Sequence, residues 1–350
     1  MSRTRQEREA SVWRWVQAAR EVSQRRDQYR QELARTTKLS LEGIDLALDH
    51  ALETDPSQAE VESLVAGATE TSSVTVVLSS NVFTACLRAI ALAKAAAETV
   101  VVKPSRREPL FVRLLAEHAN DRHVTIVNEL DIAQVAGEVH AYGSDLTLRA
   151  VAAQLSANTV LRGHGSGFGI ATLDASAPLV ACAEALSRDV VLFDQSGCLS
   201  PRIAFVVGNA ACAEAFAYAL HEALAAWSQR VPRGAGDDHE RAELRRYLDA
   251  MHMVGGVFEA RDHAVTFGGR VTGLPPAARV MHVVGVPELE AVEQTLGALG
   301  PFVTCVGCYG APPKMRGTAG GFRMAALGMM QSPPFDGPVD PRRWPPSTAI

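Results

Sequence analysis

From Ser73 the chain alternates short apolar runs with longer amphipathic ones: Ser73 to Leu78, Phe83 to Ala97, Thr99 to Lys103, Leu110 to Ala119 and His123 to Val127. The short runs are apolar at successive positions and rich in valine, as strands covered on both faces are. Helices between such strands force parallel pairing, because each connection must cross a face of the sheet and return to the same edge. A further strand over Val139 to Tyr142 leads through Gly143-Ser144 into a helix carrying Leu146, Leu148, Val151 and Leu155. The fold class is therefore α/β, with a parallel-sheet nucleotide-binding lobe.

On either side of this core the pattern changes. Val12, Trp15, Val16, Ala19, Val22 and Tyr29 recur at helical spacing over residues 10–35, and Ser40 is placed to cap a second helix carrying Ile44, Leu48 and Leu52. The alternating glycines of Arg162-Gly-His-Gly-Ser-Gly-Phe-Gly-Ile170 supply backbone freedom and mark a change of lobe. The expected second lobe contains a strand over Asp189 to Phe193, a polar turn at Cys198, a strand over Ile203 to Val207, and a long helix striped by Phe216, Leu220, Leu224 and Trp227. Residues 232–242 read as an exposed loop, and the proline-, glycine- and methionine-rich stretch after Pro312 as a tail lying along other elements. The resulting division is a helical region 1–72, a nucleotide-binding domain 73–173, a catalytic domain 174–311 and a tail 312–350.

A chain of 350 residues with 47% hydrophobic and 21% charged residues can bury a large core. Its net charge of -5 gives no footprint for nucleic acid, since Arg3, Arg5, Arg8, Arg25 and Arg26 are interleaved with acidic residues. No signal-peptide core and no membrane-length apolar stretch is present, which points to the cytoplasm. The six cysteines are too sparse for a disulfide framework. Cys305-Val-Gly-Cys308 has the spacing of half a zinc site but no second pair, so no metal is expected.

Ligands of open parallel sheets bind beyond the carboxyl ends of the strands. Asn81 follows the first strand, Lys103-Pro-Ser-Arg-Arg107 the second, and Gly143-Ser144 a third, at a helix N-terminus able to hold a phosphate. No Gly-x-Gly-x-x-Gly fingerprint is present. Each of these positions also reads as a cap, a solvated loop or a simple turn. A thiol on a polar turn, by contrast, suits covalent chemistry on an acyl group, and Asp194-Gln-Ser-Gly-Cys-Leu-Ser-Pro201 provides one in Cys198.

That loop resembles the nucleophile loop of the acyl-CoA reductases related to the fatty-acid reductase of bacterial luminescence, within the aldehyde dehydrogenase superfamily. Val100-Val-Val-Lys-Pro-Ser105, Tyr142-Gly-Ser144 and Arg323-Met-Ala-Ala-Leu-Gly-Met-Met-Gln-Ser-Pro-Pro-Phe-Asp-Gly337 are similar to further segments of the family, and the resemblance runs from about Ser40 to the end. It implies an aldehyde-dehydrogenase-like fold with an α/β catalytic lobe, and an acyl-CoA or acylated partner protein as substrate. A long-chain acyl group would pass to Cys198 and be reduced to an aldehyde by NADPH, with NADH as the alternative. By the same resemblance Asn81 and the Cys198 amide would hold the oxyanion, and Gly143 and Ser144 would lie beside the cofactor pyrophosphate. Lys103, Ser105 and Arg106 would lie at the adenosine ribose, where their charge favours a 2'-phosphate. Subunits would pair as a homo-oligomer, as is the superfamily's habit.

Leu161-Arg-Gly-His-Gly165 stands where oxidising relatives carry a glutamate base, leaving His164 as the titratable group nearby. Relatives also carry a proline soon after the Asn81 equivalent, whereas Asn-Val-Phe-Thr stands here. The other readings are a non-catalytic acyl- or nucleotide-binding relative of the same fold and a cysteine thioesterase.

Overall fold

The structure, a computed structural model, describes residues 3–315, 321–342, 344 and 345. The chain opens with α1 (Arg5–Gln24), α2 (Arg30–Thr37), α3 (Leu41–His50) and α4 (Gln58–Gly67). A capping box between Thr4 and Glu7 starts α1, which buries Val12, Trp15, Val16 and Val22 completely. The single helix expected over residues 10–35 is broken between α1 and α2. The break turns Tyr29 inward, where its hydroxyl donates to the Val22 carbonyl at 2.8 Å and its ring packs near Phe111. Ser40 caps α3 by accepting from the Gly43 amide at 3.0 Å. α4 lies within the expected helical region 1–72 without being delimited there, although its Ser57–Glu60 capping box precedes the buried Val61, Leu64 and Val65.

The next elements are β1 (Ser73–Val77), α5 (Cys86–Ala96), β2 (Thr99–Lys103), α6 (Leu110–Ala119), β3 (Val124–Ile126), β4 (Glu138–Tyr142), α7 (Asp145–Ala152) and β5 (Val160–His164). Among the described residues they form a five-stranded sheet in the order β3-β2-β1-β4-β5, parallel throughout. Val74 and Val76 of β1 and Val100 and Val102 of β2 pack with α5, α6 and α1, while Val139 and Ala141 of β4 pack with Leu148 of α7. Burial on both faces is what the uninterrupted valine runs required.

A second sheet takes up the rest: β6 (Phe168–Leu173), α8 (Leu179–Val191), β7 (Pro201–Val207), α9 (Ala210–Arg230), α10 (Asp238–Val254), β8 (Gly256–Glu259), β9 (Ala264–Gly268), β10 (Val280–Val286), α11 (Ala291–Leu296), β11 (Val303–Tyr309) and β12 (Arg323–Ala326). Its order is β12-β11-β6-β7-β10-β9-β8, with the β8–β9 pair antiparallel. The chain changes sheet between β5 and β6, so β6, which a boundary at 173 assigns to the first lobe, hydrogen-bonds into the second sheet.

The expected strand over Asp189 to Phe193 is instead the last turn of α8 and a tight turn after it. Its valines belong to a helical repeat with Cys182, Ala183 and Leu186, all buried against the sheet. Only part of 232–242 is a loop, because a capping box between Asp237 and Glu240 starts α10. The glycines of 162–170 do more than loosen the chain. A Cβ on Gly169 would lie 2.4 Å from the Leu199 carbonyl oxygen, so the absent side chain lets β6 pack against the segment carrying Cys198.

The tail lies along other elements. β12 extends the second sheet beside β11, Phe335 joins a cluster with Val12 and Val61, and Arg88 of α5 donates to the carbonyls of Pro333, Pro334 and Gly337. Residues 316–320, 343 and 346–350 of the expected tail lie outside the described residues. Among the described residues no helix is long and apolar enough to cross a membrane.

Candidate active site

The turn after α8 takes an unusual path. Phe193, Asp194 and Gln195 have φ of 55°, 48° and 68°, three consecutive left-handed residues and none of them glycine. Each costs about 1–2 kcal/mol relative to right-handed backbone, so the surroundings must over-determine the conformation. They do so through every side chain of the turn. Asp194 accepts from Arg279 Nε at 2.8 Å and from the Gly234 amide at 2.9 Å. Gln195 donates to the carbonyls of Pro201 and Val280 at 2.6 and 2.7 Å and accepts from the Val280 amide at 2.7 Å. Phe193 meets Phe83 edge-on at 5.9 Å.

This turn delivers Ser196-Gly197-Cys198 to the head of β7. Cys198 is half-buried and its carbonyl accepts from the Thr304 hydroxyl, which also donates to Phe168. The next residues are locked to β6, since the Gly169 amide donates to the Ser200 carbonyl at 2.8 Å.

Cys198 opens on a cleft of about 490 Å³ between the two sheets. The residues following β1, β4 and β5 face the start of β6 and β7 across it, bringing Asn81, Gly143, Ser144 and His164 to the same space as Cys198. The wall on the α5 side carries the apolar Val82, Ala85, Ala89 and Leu92 beside Thr84, Arg88 and Glu53. Lys103, Ser105 and Arg106 are not among the lining residues. They stand beyond β2, where Val77 and Lys103 are partners in register; Lys103 Nζ donates to the Pro104 carbonyl at 3.2 Å, and Ser105 accepts from the Arg107 amide at 3.2 Å.

Burial pushes the Cys198 thiol up to about 12, helped by the nearby Asp340 carboxylate and opposed by Arg342. The thiol therefore carries its proton at neutral pH. His164 borders the same cleft, where burial, then the neighbouring His140, hold it down to about 4, so the ring is neutral. It stacks on Tyr142 with centroids 4.3 Å apart and planes 6° apart. Behind it, Glu138 is held down to about 2 by its hydrogen bond to His140 and by Arg162, against the effect of burial.

Ser144 caps α7 by accepting from the Thr147 amide at 3.2 Å. The Asp145 carboxylate in the same first turn accepts from the Ser166 amide at 3.3 Å and Trp344 Nε1 at 3.1 Å. That negative charge already answers the positive end of the helix.

Several lining residues escaped the sequence reading. Arg88 and Glu53 form a buried ion pair on the α5 side, Asp340 pairs with Arg342, and Arg202 sits four residues past the cysteine. An arginine inside an alanine-rich helix and an aspartate in a proline-rich tail carry no local signal of burial. The Asp194-Gln pair was visible, but not its left-handed backbone.

Comparison with known proteins bears on the family and the fold. A family described as "Acyl-CoA reductase (LuxC)" matches residues 16–337. No curated protein matches the sequence. Among solved structures, an NAD-dependent benzaldehyde dehydrogenase from Corynebacterium glutamicum is similar at TM-score 0.65 and 15% identity, over 88% of this chain and 77% of that one. An NAD-dependent aldehyde dehydrogenase from Sinorhizobium meliloti gives TM-score 0.63 and 16% identity over 87% and 71%. An NADP-dependent glyceraldehyde-3-phosphate dehydrogenase from Bacillus halodurans C-125, complexed with NADP, gives 0.59 and 13% over 88% and 74%. The fold is thus the aldehyde-dehydrogenase-like α/β arrangement that the sequence resemblance implied.

Proposed function

Because this chain belongs to the LuxC family of acyl-CoA reductases, we propose that it reduces a long-chain acyl thioester, on CoA or on a partner protein, to the aldehyde through an acyl group carried on Cys198, with NADPH as reductant. The observation that carries this reading is that Cys198, on an over-determined turn, opens on the same cleft as Asn81 and His164. The apolar side chains of Val82, Ala85, Ala89 and Leu92 on the cleft suit a hydrocarbon chain.

The first step transfers the acyl group. His164 takes the Cys198 proton, directly or through water, and the sulfur attacks the thioester carbonyl. The carbon–sulfur bond to the donor breaks, and the departing thiolate takes up a proton. The Asn81 amide and the Cys198 backbone N–H hold the negative oxygen of the tetrahedral stage, a role in which loss of one donor costs ~10²-fold or more. No carboxylate stands at Leu161 to Gly165 to activate water, which favours retention of the acyl group over hydrolysis.

The residues present fit a nicotinamide dinucleotide. Gly143, Ser144 and His164 border the cleft at the carboxyl edge of the parallel sheet, Lys103, Ser105 and Arg106 lie farther along that edge, and the cleft contains an orphaned buried donor, Nε of Arg202. When bound, the nicotinamide supplies hydride to the acyl carbon. Asn81 and the Cys198 amide hold the oxygen again, and cleavage of the carbon–sulfur bond returns its electrons to Cys198 as the aldehyde leaves. Lys103 and Arg106 would meet a ribose 2'-phosphate, hence NADPH over NADH. The unpaired state of all six cysteines supports a reducing, cytoplasmic setting, and a homo-oligomer follows the superfamily's habit.

Incubation with a long-chain acyl-CoA and NADPH tests the proposal. The expected result is NADPH oxidation matched by aldehyde and abolished in Cys198→Ala. Acyl binding without NADPH consumption would make the chain a non-catalytic relative, and free fatty acid as the sole product would make it a thioesterase.

A further inference from the structure

Among the described residues four charged side chains line the cleft: Glu53, Arg88, Arg202 and Asp340. Arg88 and Glu53 neutralise each other at 2.7 Å, and Asp340 accepts from Arg342 Nε and Nη2 at 2.9 and 2.7 Å. Arg202 makes no ion pair of this kind. Its Nη1 donates to the Pro275 carbonyl at 2.6 Å, while its Nε is sealed from solvent with no partner. Leu274, Leu299 and Phe302 line the same cleft.

Nε and Nη2 form one edge of the guanidinium, with two N–H bonds running side by side. That edge matches two oxygens of a single phosphate. A guanidinium whose Nε is sealed from solvent without a partner is costly to keep, and a ligand anion removes the cost. We propose that Arg202 is the anion-binding residue of the cleft and takes a phosphate from the pyrophosphate of a nucleotide-bearing ligand. Glu243 is the acid that acts on Arg202 from a distance, and burial lowers the guanidinium only to about 10, so it remains charged at neutral pH.

The identification of the anion rests on the proposed reaction, whose two ligands, acyl-CoA and the nicotinamide cofactor, each carry a nucleotide pyrophosphate. The N-terminus of α7, which would otherwise hold such a group, already has the Asp145 carboxylate in its first turn. A second source of positive charge is therefore needed, and among the described residues Arg202 is the lining cation with no carboxylate in ion-pair contact.

The test is binding, not turnover. NADPH and long-chain acyl-CoA are titrated separately into wild type and R202M. Affinity for one of them is expected to fall by about tenfold or more, and inorganic pyrophosphate is expected to raise the thermal midpoint of wild type but not of R202M. Loss confined to NADPH places the phosphate on the cofactor. Loss confined to acyl-CoA, with an acyl-pantetheine thioester lacking the pyrophosphate unaffected, places it on CoA. Unchanged affinity for both ligands in folded R202M overturns the proposal. R202K, which keeps the charge without the fork, is read by the same criteria if R202M does not fold. Nucleotide binding that depends on Arg202 in a protein without Cys198-dependent NADPH oxidation leaves the anion site standing and removes the reaction. Turnover without any Arg202 dependence of binding does the reverse.

Discussion

Arg279, only 1% exposed, holds Asp194 at 2.8 Å and so braces the left-handed turn that presents Cys198. Its Nη1 is satisfied by the Val231 carbonyl at 2.8 Å, which ties the end of α9 to the same turn. Removing either partner strands a buried charge. Arg279→Ala or Asp194→Ala is expected to cost about 3–5 kcal/mol in chemical denaturation, and an Arg279→Met, Asp194→Leu double variant less than the sum of the two. Additive losses in that cycle would show that the pair does not act as a unit.

Gly169→Ala tests the close approach of β6 to the cysteine segment. The new Cβ would sit 2.4 Å from the Leu199 oxygen, a backbone atom that can yield only by shifting the Cys198 loop. The expected loss is about 1–3 kcal/mol of stability, and on the order of 10²-fold in turnover because reacting atoms are displaced. Full activity with an unaltered melting temperature would contradict this packing.

The raised thiol of Cys198 makes a kinetic prediction. Below a pKa of about 12 the thiolate fraction grows tenfold per pH unit, so labelling by iodoacetamide should keep rising from pH 7 to pH 10 without levelling off. A plateau near pH 8 would mean that the thiol is activated at rest. Peptide mapping isolates Cys198 from the other cysteines.

His164 contributes to acid lability with a definite sign. Its folded-state value of about 4 lies below the ordinary 6.5, so the unfolded chain binds the proton more readily. Stability therefore falls as the pH drops from 6.5 toward 4, by about 1–2 kcal/mol at pH 5 from this ring alone. His263, held down to about 4 by burial and by His221, adds to the same window. His164→Gln should lose less stability than wild type between pH 7 and pH 5, as read by urea midpoints, with the His263 share remaining. An identical pH dependence in the two proteins would refute the assignment.

Asp189 anchors the tail to the back of the site. Fully buried, it accepts from the amides of Gly328 and Met330 at 2.5 and 2.9 Å, and so holds the segment that leads to Gln331 and Pro333 on the cleft wall. Asp189→Ala leaves both amides unmet and is expected to cost roughly 1–3 kcal/mol for each. Hydrogen exchange should then show faster exchange at 327–333. Unchanged protection there would mean that the rest of the tail holds the segment without Asp189.

Local patterning carried the sheet-forming half of this chain. Val74, Val76, Val100 and Val102 on one face and Val77 and Val139 on the other could be read as doubly covered strands because a parallel sheet needs apolar side chains on both faces, and Ser40 as a cap because its hydroxyl acts within one turn. The polar turn at Cys198 could be read for the same local reason. The left-handed path through Phe193, Asp194 and Gln195 could not, because none of them is glycine and the bonds that impose it come from Gly234, Arg279 and Val280, far along the chain. Asp189 to Phe193 looked like a strand and became the end of a helix because neighbouring elements, not its own β-branched residues, determined how it packs. The charges of Arg88, Arg202 and Asp340 likewise acquired meaning only when folding removed them from water, since burial and pairing are properties of the assembled structure and leave no periodic mark in the sequence.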